Sequence, residues 1–311
     1  MSSILQVEKS LPGIWKYHFY YPKLSKKFWL SLKEGDTAEI QVGKIIFKRE
    51  DQNPTGSIKD RGMAYQISRA FGEGRKNLVI SSSGNAAISA AAYCQLAKIK
   101  LHTFVSPKIK QDKLKKLKEQ KAEIFFSRRP VSEATRFSLE KGFLNLRPSI
   151  QEVGSEGYKS LAFEIQQNLG KVDSIFIPVS SGTALAGIGE GYKILGYFPQ
   201  FHVVQTAAVC PIARIFDKDY QAKKTSLADA LVAKVTPRKE QILNLIKESE
   251  GFGWVISDEE IKKALRELAK LGISTSAEGG ATLAAIWKAK KIQDNLGDKI
   301  ICLLTGKKYL K

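Results

Sequence analysis

The chain has 311 residues and a formal net charge of +19, from 50 basic and 31 acidic side chains. Its apolar content of 43% and charged content of 26% are typical of a soluble globular protein, and its length suffices for two domains or lobes. No apolar run approaches the ~20 residues of a membrane span, and the first residues lack the basic region and apolar stretch of a secretion signal. We therefore predict a cytoplasmic protein with no membrane segment.

Cysteine and histidine usage agrees with a reducing compartment and argues against a metal site. The chain holds three widely separated cysteines, an odd number that predicts free thiols rather than a disulfide framework. They are Cys94, Cys210 and Cys302. His18, His102 and His202 are isolated, and no group of residues has metal-ligand spacing. We predict no bound metal.

The densest positive charge lies between Lys108 and Lys121. Ile109, Leu114 and Leu117 recur there near helical spacing, so the lysines are predicted to form the solvated face of an amphipathic helix. No aromatic stacking residues and no nucleic-acid-binding motif accompany them. Nucleic-acid binding is therefore not predicted, although a basic nucleic-acid-binding protein is the alternative to an enzyme.

Apolar strands and helical patterns alternate along the chain. In the first half, strands are predicted at 44–50, 77–82, 100–106, 122–127 and 143–146, and helices at 60–71, 85–97, within 108–121 and at 132–141. In the second half, strands are predicted at 174–180, 202–207 and 299–306, and helices at 156–169, from 183, at 258–271 and at 280–291. Ser257 and Glu260 form a capping box for the helix at 258. This alternation predicts parallel βαβ units and an open α/β architecture.

Ligands in open α/β folds bind where strands end and helices begin, and the turn SSSGNAA at 81–87 is such a place. A helix N-terminus carries free N–H groups and partial positive charge. Ser82, Ser83 and Asn85 add hydroxyl and amide groups. The turn is a candidate carboxylate cradle, although Ser and Asn are also ordinary N-cap residues.

A second turn of this kind is PVSSGTALAGIG at 178–189. Small side chains at Ser180, Ser181, Gly182 and Thr183 let backbone amides approach an anion closely, as phosphate binding requires. The stretch is neither G-x-G-x-x-G nor a P-loop, because lysine followed by Ser or Thr is missing. It therefore predicts a site for the phosphate of a bound cofactor rather than for a transferred phosphate.

Two further residues complete the candidate groups. Thr305 ends the last strand, where its hydroxyl can donate and accept, although a strand-terminal threonine before a turn glycine is the simpler interpretation in isolation. Lys59 follows the turn Asn53-Pro-Thr-Gly-Ser at the start of a helix, and is either one more solvated charge or an amine that does chemistry. A carboxylate cradle, a phosphate site, a hydroxyl and a lysine are what an amino acid bound to pyridoxal phosphate needs.

The stretches NPTGSIKDRG, SSSGNAAISAAAYC, PVSSGTALAGI and LLTG stand in the order and spacing of the fold-type-II pyridoxal-phosphate enzymes, over nearly the whole chain. Within them the chain resembles the threonine synthase family, through GIWKY before SLKEGDT, SDEEI, and GISTSAEGGATLA. The resemblance implies an α/β fold of two open parallel-sheet lobes with the cofactor in the cleft between them, in a homodimer. The larger, cofactor-anchoring lobe would comprise residues 1–63 and 152–311, and the smaller, mobile, substrate-binding lobe residues 64–151.

The same resemblance implies a role for each candidate residue. Lys59 would bind pyridoxal 5′-phosphate covalently through its amine and carry protons. Asn85 would contact the ring hydroxyl of the cofactor, and Thr305 its pyridine nitrogen. The cofactor phosphate would be held by Ser180, Ser181, Gly182 and Thr183. The substrate amino acid would be bound by Ser82 and Ser83, which hold its carboxylate, and by Ser149, Lys159 and Ser160.

Departures from the threonine synthase pattern bear on the substrate. Gly154 stands where the family usually carries an arginine for the substrate's phosphate, which removes a strong bidentate contact that Arg147 or another basic residue would have to replace. Late in the chain, Ser276 and Ala277 replace an acidic residue and a proline. The resemblance implies conversion of O-phospho-L-homoserine and water to L-threonine and phosphate. Threonine/serine dehydratase and cysteine- or cysteate-type synthases, which need no such arginine, are the alternatives.

Overall fold

The computed structural model describes residues 5–147, 151–231, 233, 236–292 and 295–309. The chain divides into two compact units. The six-stranded unit comprises Leu5, Asp36–Gln52 and Leu161–Lys308, and the four-stranded unit comprises Gln6–Gly35, Asn53–Ser160 and Tyr309. Residues 6–35, 53–63 and 152–160 thus group with the four-stranded sheet, whereas the sequence places them in the lobe of the larger sheet. The mobility of the smaller lobe stays a prediction.

The four-stranded unit has a wholly parallel sheet with the strand order β5-β4-β3-β6. Its strands are β3 (Asn77–Ser81), β4 (Lys100–Val105), β5 (Glu123–Phe126) and β6 (Leu144–Asn145). Its helices are α1 (Lys59–Gly72), α2 (Asn85–Leu96), α3 (Gln111–Glu119) and α4 (Pro130–Lys141). The centre of β3 is fully buried, and the alanines of α2 let that helix pack closely in the same core.

The six-stranded unit has the strand order β1-β2-β10-β7-β8-β9. Its strands are β1 (Glu39–Val42), β2 (Ile45–Lys48), β7 (Ser174–Pro178), β8 (Gln200–Thr206), β9 (Phe252–Ile256) and β10 (Ile300–Leu303). All neighbours are parallel except the edge strand β1, which is antiparallel to β2. Its helices are α5 (Lys159–Leu169), which begins two residues before the unit, α6 (Thr183–Leu195), α7 (Lys239–Glu248), α8 (Asp258–Lys270) and α9 (Ala277–Ile292).

A buried ion pair joins the two segments of the six-stranded unit. Lys48 Nζ lies 2.5 Å from Glu164 Oε1 and 2.9 Å from Glu39 Oε1, and the Lys48 side chain is fully buried. Glu164 also accepts a hydrogen bond from the backbone N–H of Asp36 at 3.0 Å. Because removal of one partner would leave an uncompensated buried charge, this cluster fixes residues 36–48 on α5.

The α/β fold with two largely parallel sheets is confirmed. The capping box is also confirmed, since the Ser257 hydroxyl and the Glu260 carboxylate each bond the other's backbone N–H. The sequence did not predict β1, α7 or β9, and the helix expected from residue 156 starts as a 3₁₀ helix, Glu152–Tyr158, before α5. Within the described residues, no helix is both long and apolar enough to cross a membrane.

Candidate active site

Lys59 is the first residue of α1 and follows a tight turn. The turn is closed by a 2.7 Å hydrogen bond from Gly56 N to Asn53 O, and Gly56 has a φ of +92°, which favours glycine. The next helical residue, Asp60, is fully buried and accepts a 2.6 Å hydrogen bond from Ser89 Oγ of α2. The start of α1 is therefore fixed on α2, while the Lys59 side chain is half-buried.

The first turn, residues 81–85, connects β3 to α2. The Ser82 hydroxyl accepts a hydrogen bond from Gly84 N at 3.2 Å, and the Ser83 hydroxyl accepts one from Ser106 N at 2.8 Å. Asn85 Oδ1 is buried and has no hydrogen-bond partner among the described residues. A buried polar atom without a partner costs ~1–3 kcal/mol, so Asn85 is suited to a ligand that brings a donor.

The second turn, residues 178–183, connects β7 to α6. Gly182 precedes the helix with a φ of +84°, and a Cβ on it would lie 3.0 Å from Ile242 Cγ1. Ser181 Oγ and Thr183 Oγ1 are 3.1 Å apart, and Ser180 Oγ accepts a hydrogen bond from Ala233 N at 3.3 Å. The left-handed glycine turns the backbone so that the first amides of α6 face the end of the strand, where an anion can bind.

Thr305 lies two residues beyond β10 and is half-buried. The next residue, Gly306, accepts two hydrogen bonds through its carbonyl, from Ser276 N at 2.9 Å and from Thr275 Oγ1 at 3.1 Å. These bonds hold the residues before α9 against the Thr305 loop. Ser276 Oγ is buried and has no partner in the described part of the chain.

Ser276 is therefore a candidate ligand-binding hydroxyl that the sequence did not predict. The only indication of this role in the sequence is that Ser276 stands directly before a helix, at a position where the family pattern has an acidic residue. A position before a helix identifies an N-cap as readily as a site. Only the buried, unpartnered oxygen distinguishes the two.

The predicted substrate residues occupy different environments. Lys159 Nζ lies 2.8 Å from Glu156 Oε2, and both side chains are largely buried. The Ser160 hydroxyl accepts a hydrogen bond from Arg61 Nη1 at 3.1 Å and donates one to Gly157 O at 2.7 Å. Burial and the Glu156 carboxylate together raise the pKa of the Tyr65 hydroxyl to about 12. Gly154 lies in the 3₁₀ helix at 152–158, and the prediction for Ser149 lies outside the described residues.

Taken unit by unit, these features fit separate parts of a phosphorylated pyridine aldehyde. The four-stranded unit has a half-buried amine at a helix start and a buried amide oxygen without a donor. The six-stranded unit has a helix N-terminus at a left-handed glycine whose Cβ position is crowded by Ile242. The sequence matches the family described as pyridoxal-phosphate dependent enzyme over residues 32–306. The chain belongs to this family, and its cofactor is pyridoxal 5′-phosphate.

Three similar proteins within this family are all threonine synthases. The chain is 28% identical to the threonine synthase of Methanocaldococcus jannaschii over 94% of this chain and 80% of that protein. It is 28% identical to the threonine synthase of Methanosarcina acetivorans over 97% of this chain and 81% of the relative. It is 29% identical to that of a Bacillus species over 94% of this chain and 88% of the relative.

Solved structures of similar fold include enzymes with other names. Maize serine racemase superposes with a TM-score of 0.76 at 20% identity, over 86% of this chain and 84% of that one. The processed form of threonine deaminase isoform 2 from Solanum lycopersicum superposes with a TM-score of 0.75 at 18% identity, over 86% and 75%. At these identities the likeness establishes the fold-type-II architecture alone.

Proposed function

We propose that the chain is a threonine synthase, which converts O-phospho-L-homoserine and water to L-threonine and phosphate. The observation that carries the proposal is the similarity to three threonine synthases over 94–97% of this chain. The assignment as a lyase, the homodimer and the cytoplasmic location are parts of the same proposal.

Lys59 is the proposed catalytic residue. When bound, pyridoxal phosphate supplies an electron sink for negative charge at the substrate's α carbon. The Lys59 amine would bond covalently to the cofactor before the substrate arrives, take a proton from Cα once displaced, and move further protons. In the net reaction the Cγ–O bond breaks, phosphate leaves and Cγ gains a proton. Water supplies a hydroxyl to Cβ, which loses one of its protons.

Other residues would hold parts of the cofactor and substrate. In the four-stranded unit, Asn85 would contact the ring hydroxyl of the cofactor, because its buried Oδ1 has no donor in the described structure. Ser82 and Ser83 would bind the substrate carboxylate beside the first amides of α2. In the six-stranded unit, the 180–183 stretch would bind the cofactor phosphate, and Thr305 would meet the pyridine nitrogen. A neutral hydroxyl there leaves the nitrogen largely unprotonated.

Elimination of water or another neutral group, as in a threonine/serine dehydratase, is the second candidate. Two observations favour it. Gly154 provides no guanidinium for a substrate phosphate. The Lys159 ammonium is already paired with Glu156 at 2.8 Å, so it offers less net positive charge to a dianion. An uncharged substrate would need neither group.

The first experiment identifies the lysine. Borohydride should fix pyridoxal phosphate to Lys59, located by mass spectrometry, and Lys59→Ala should lose turnover by at least about a thousandfold, because the covalent and proton-transfer roles disappear together. A label on another lysine, or activity retained in Lys59→Ala, would contradict the assignment.

The second experiment identifies the reaction. Phosphate release and threonine formation from phosphohomoserine are measured beside keto-acid formation from threonine and serine, with Lys59→Ala as the inactive control. Phosphate and threonine in equal amounts are the expected products. If keto acids are the only products, the protein is a dehydratase and the threonine synthase proposal is wrong.

A further inference from the structure

Tyr158 ends the 3₁₀ helix at 152–158 and packs on the first turns of α1, with only 1% of its surface exposed. Two glycines make this packing possible. A Cβ on Gly62 would lie 2.6 Å from the Tyr158 ring, and a Cβ on Gly157 would lie 1.9 Å from the Arg61 carbonyl oxygen. Real Cβ atoms do not approach other atoms this closely, so only glycine fits at both positions. The ring therefore lies where it does because residues 62 and 157 are glycines.

The ring lies beside the amine of Lys59. Lys59 Nζ is 5.8 Å from the centroid of the Tyr158 ring, within the range of a cation–π contact. The face of an aromatic ring carries partial negative charge and attracts an ammonium group more strongly than a neutral amine. A buried, closely packed ring is therefore a well-placed partner for the charged form of a flexible side chain.

We propose that Tyr158 is a positioning residue for Lys59. Its ring holds the Lys59 ammonium in place in the interval when the amine is detached from the cofactor and carries a proton. The inference rests on the proposed proton-carrying role of Lys59. A lysine side chain has four rotatable bonds. Without a contact that restricts them, the Lys59 ammonium would less often lie within reach of the substrate carbon that takes its proton. The ring limits that freedom.

The geometry can be tested without cofactor or substrate. Reductive methylation of the cofactor-free full chain with ¹³C-formaldehyde keeps the charge of each lysine and adds methyl groups visible by NMR. The Lys59 signal is assigned by its loss in Lys59→Arg. The ring current should shift it upfield of the common position, which is that of lysines with no aromatic ring nearby; Lys27 and Lys113, 4.9 and 5.2 Å from their ring centroids, should shift in the same direction. The shift of the Lys59 signal should stay in Tyr158→Phe and disappear in Tyr158→Leu.

A Lys59 signal at the common lysine position in the native chain would overturn the proposal. That outcome needs no variant to fold, and it is independent of which amino acid is the substrate. If Tyr158→Leu does not fold, the native chain and Tyr158→Phe decide the question alone, since both must show the upfield signal.

The kinetic test separates positioning from packing. On whichever substrate the enzyme turns over, Tyr158→Leu should lower kcat by about three- to thirtyfold with little change in KM, since the contact is made by the displaced lysine and not by the substrate. Tyr158→Phe, which keeps the ring, should restore kcat. Equal kcat in Tyr158→Leu and the native enzyme, or a loss in Tyr158→Phe as large as in Tyr158→Leu, would overturn the positioning role.

Discussion

The first turn and the second turn have the same place in their respective sheets but present different chemical groups. Each follows an inner parallel strand and opens a helix, β3 to α2 in one unit and β7 to α6 in the other. At the first turn, Gly84 has an extended backbone and the available groups are side chains, above all Asn85 Oδ1, which has no partner among the described residues. At the second turn, Gly182 is left-handed and backbone amides are presented.

This difference shows why the two turns have different tolerance to substitution. A site made of side chains can lose one of them without disturbing the fold. A site made of backbone depends on the local conformation, so a residue that changes the conformation changes folding and binding together. The experiments on Gly182, Asn85 and Gly84 below test this distinction.

The largest effect is expected at Gly182. Gly182→Leu must place a branched side chain at a φ of +84° and against Ile242, which already lies 3.0 Å from the Cβ position. We expect cofactor affinity to fall by about 10- to 100-fold, because amide contacts to a phosphate are charge-assisted hydrogen bonds. Titration of the cofactor-free protein with pyridoxal phosphate, followed by absorbance, measures this affinity.

Gly196 provides a matched control for Gly182. It lies at the other end of α6 with a φ of +81°, and nothing lies within 4 Å of its Cβ position. Gly196→Ala should lose ~1–2 kcal/mol of unfolding free energy from the left-handed backbone, and Gly182→Ala should lose more, because its Cβ would also press on Ile242 Cγ1. Only Gly182→Ala should also lose cofactor affinity. Equal affinities in the two alanine variants would show that the second turn does not bind the phosphate.

The next largest effect is the loss of folding stability at low pH. A buried histidine in each sheet should contribute to this loss, and the two contributions should differ. His202 on β8 is 1% exposed, its Nδ1 accepts a hydrogen bond from Trp254 Nε1 at 3.1 Å, and burial lowers its pKa from 6.5 to about 3. Because the unfolded chain binds the proton more readily, this contribution to stability is complete above pH 6.5 and is lost as the pH falls toward 3. The loss is on the order of a few kcal/mol.

His102 on β4 has the corresponding place in the other sheet. Burial also lowers the pKa of His102, but the Glu123 carboxylate, 2.8 Å from its Nδ1, opposes the shift. Urea unfolding measures the drop in unfolding free energy from pH 7 to pH 4. This drop should be smaller in His202→Gln than in the native chain, and His102→Gln should change it less than His202→Gln does. An unchanged pH dependence in His202→Gln would contradict a buried, neutral imidazole.

A smaller and more selective effect is expected at Asn85. Asn85→Ala removes an oxygen that has no described donor, so the unfolding free energy of the cofactor-free protein should not fall and should rise by up to ~1–3 kcal/mol. Cofactor affinity should fall by about tenfold, the value of one hydrogen bond. Asn53 is the contrasting control, because its Oδ1 accepts a 2.9 Å hydrogen bond from Gly35 N. Asn53→Ala should lose ~1–3 kcal/mol of stability, and a similar loss in Asn85→Ala would give Asn85 a structural role.

The sequence predicted the parts of the fold whose signals are local. Small residues between an apolar strand and a helix located both turns, and Ser257 with Glu260 located the start of α8. The edge strand β1 was not predicted although its polar and apolar residues alternate, because the alternation spans only four residues, all of them half-buried or exposed. The contact of Tyr158 with Lys59 joins residues 99 positions apart and depends on Gly62 and Gly157, so no local pattern could indicate it.

The smallest effect is expected at Gly84. This residue tests whether the backbone conformation of the first turn is unimportant for ligand binding. Gly84 has a φ of −132°, which any residue adopts, and a Cβ there would meet only Ser82 Oγ, at 3.9 Å. Gly84→Ala therefore adds neither strain nor overlap, and loses only the modest advantage of glycine over alanine before a helix, about 0.5 kcal/mol. Cofactor affinity should stay within about twofold, since the Asn85 side chain is untouched. The same titration and urea unfolding used for Gly182→Ala give both values. If Gly84→Ala lost affinity as severely as Gly182→Ala, the first turn would also bind its ligand through a specific backbone conformation, and the distinction between a side-chain site and a backbone site would be wrong.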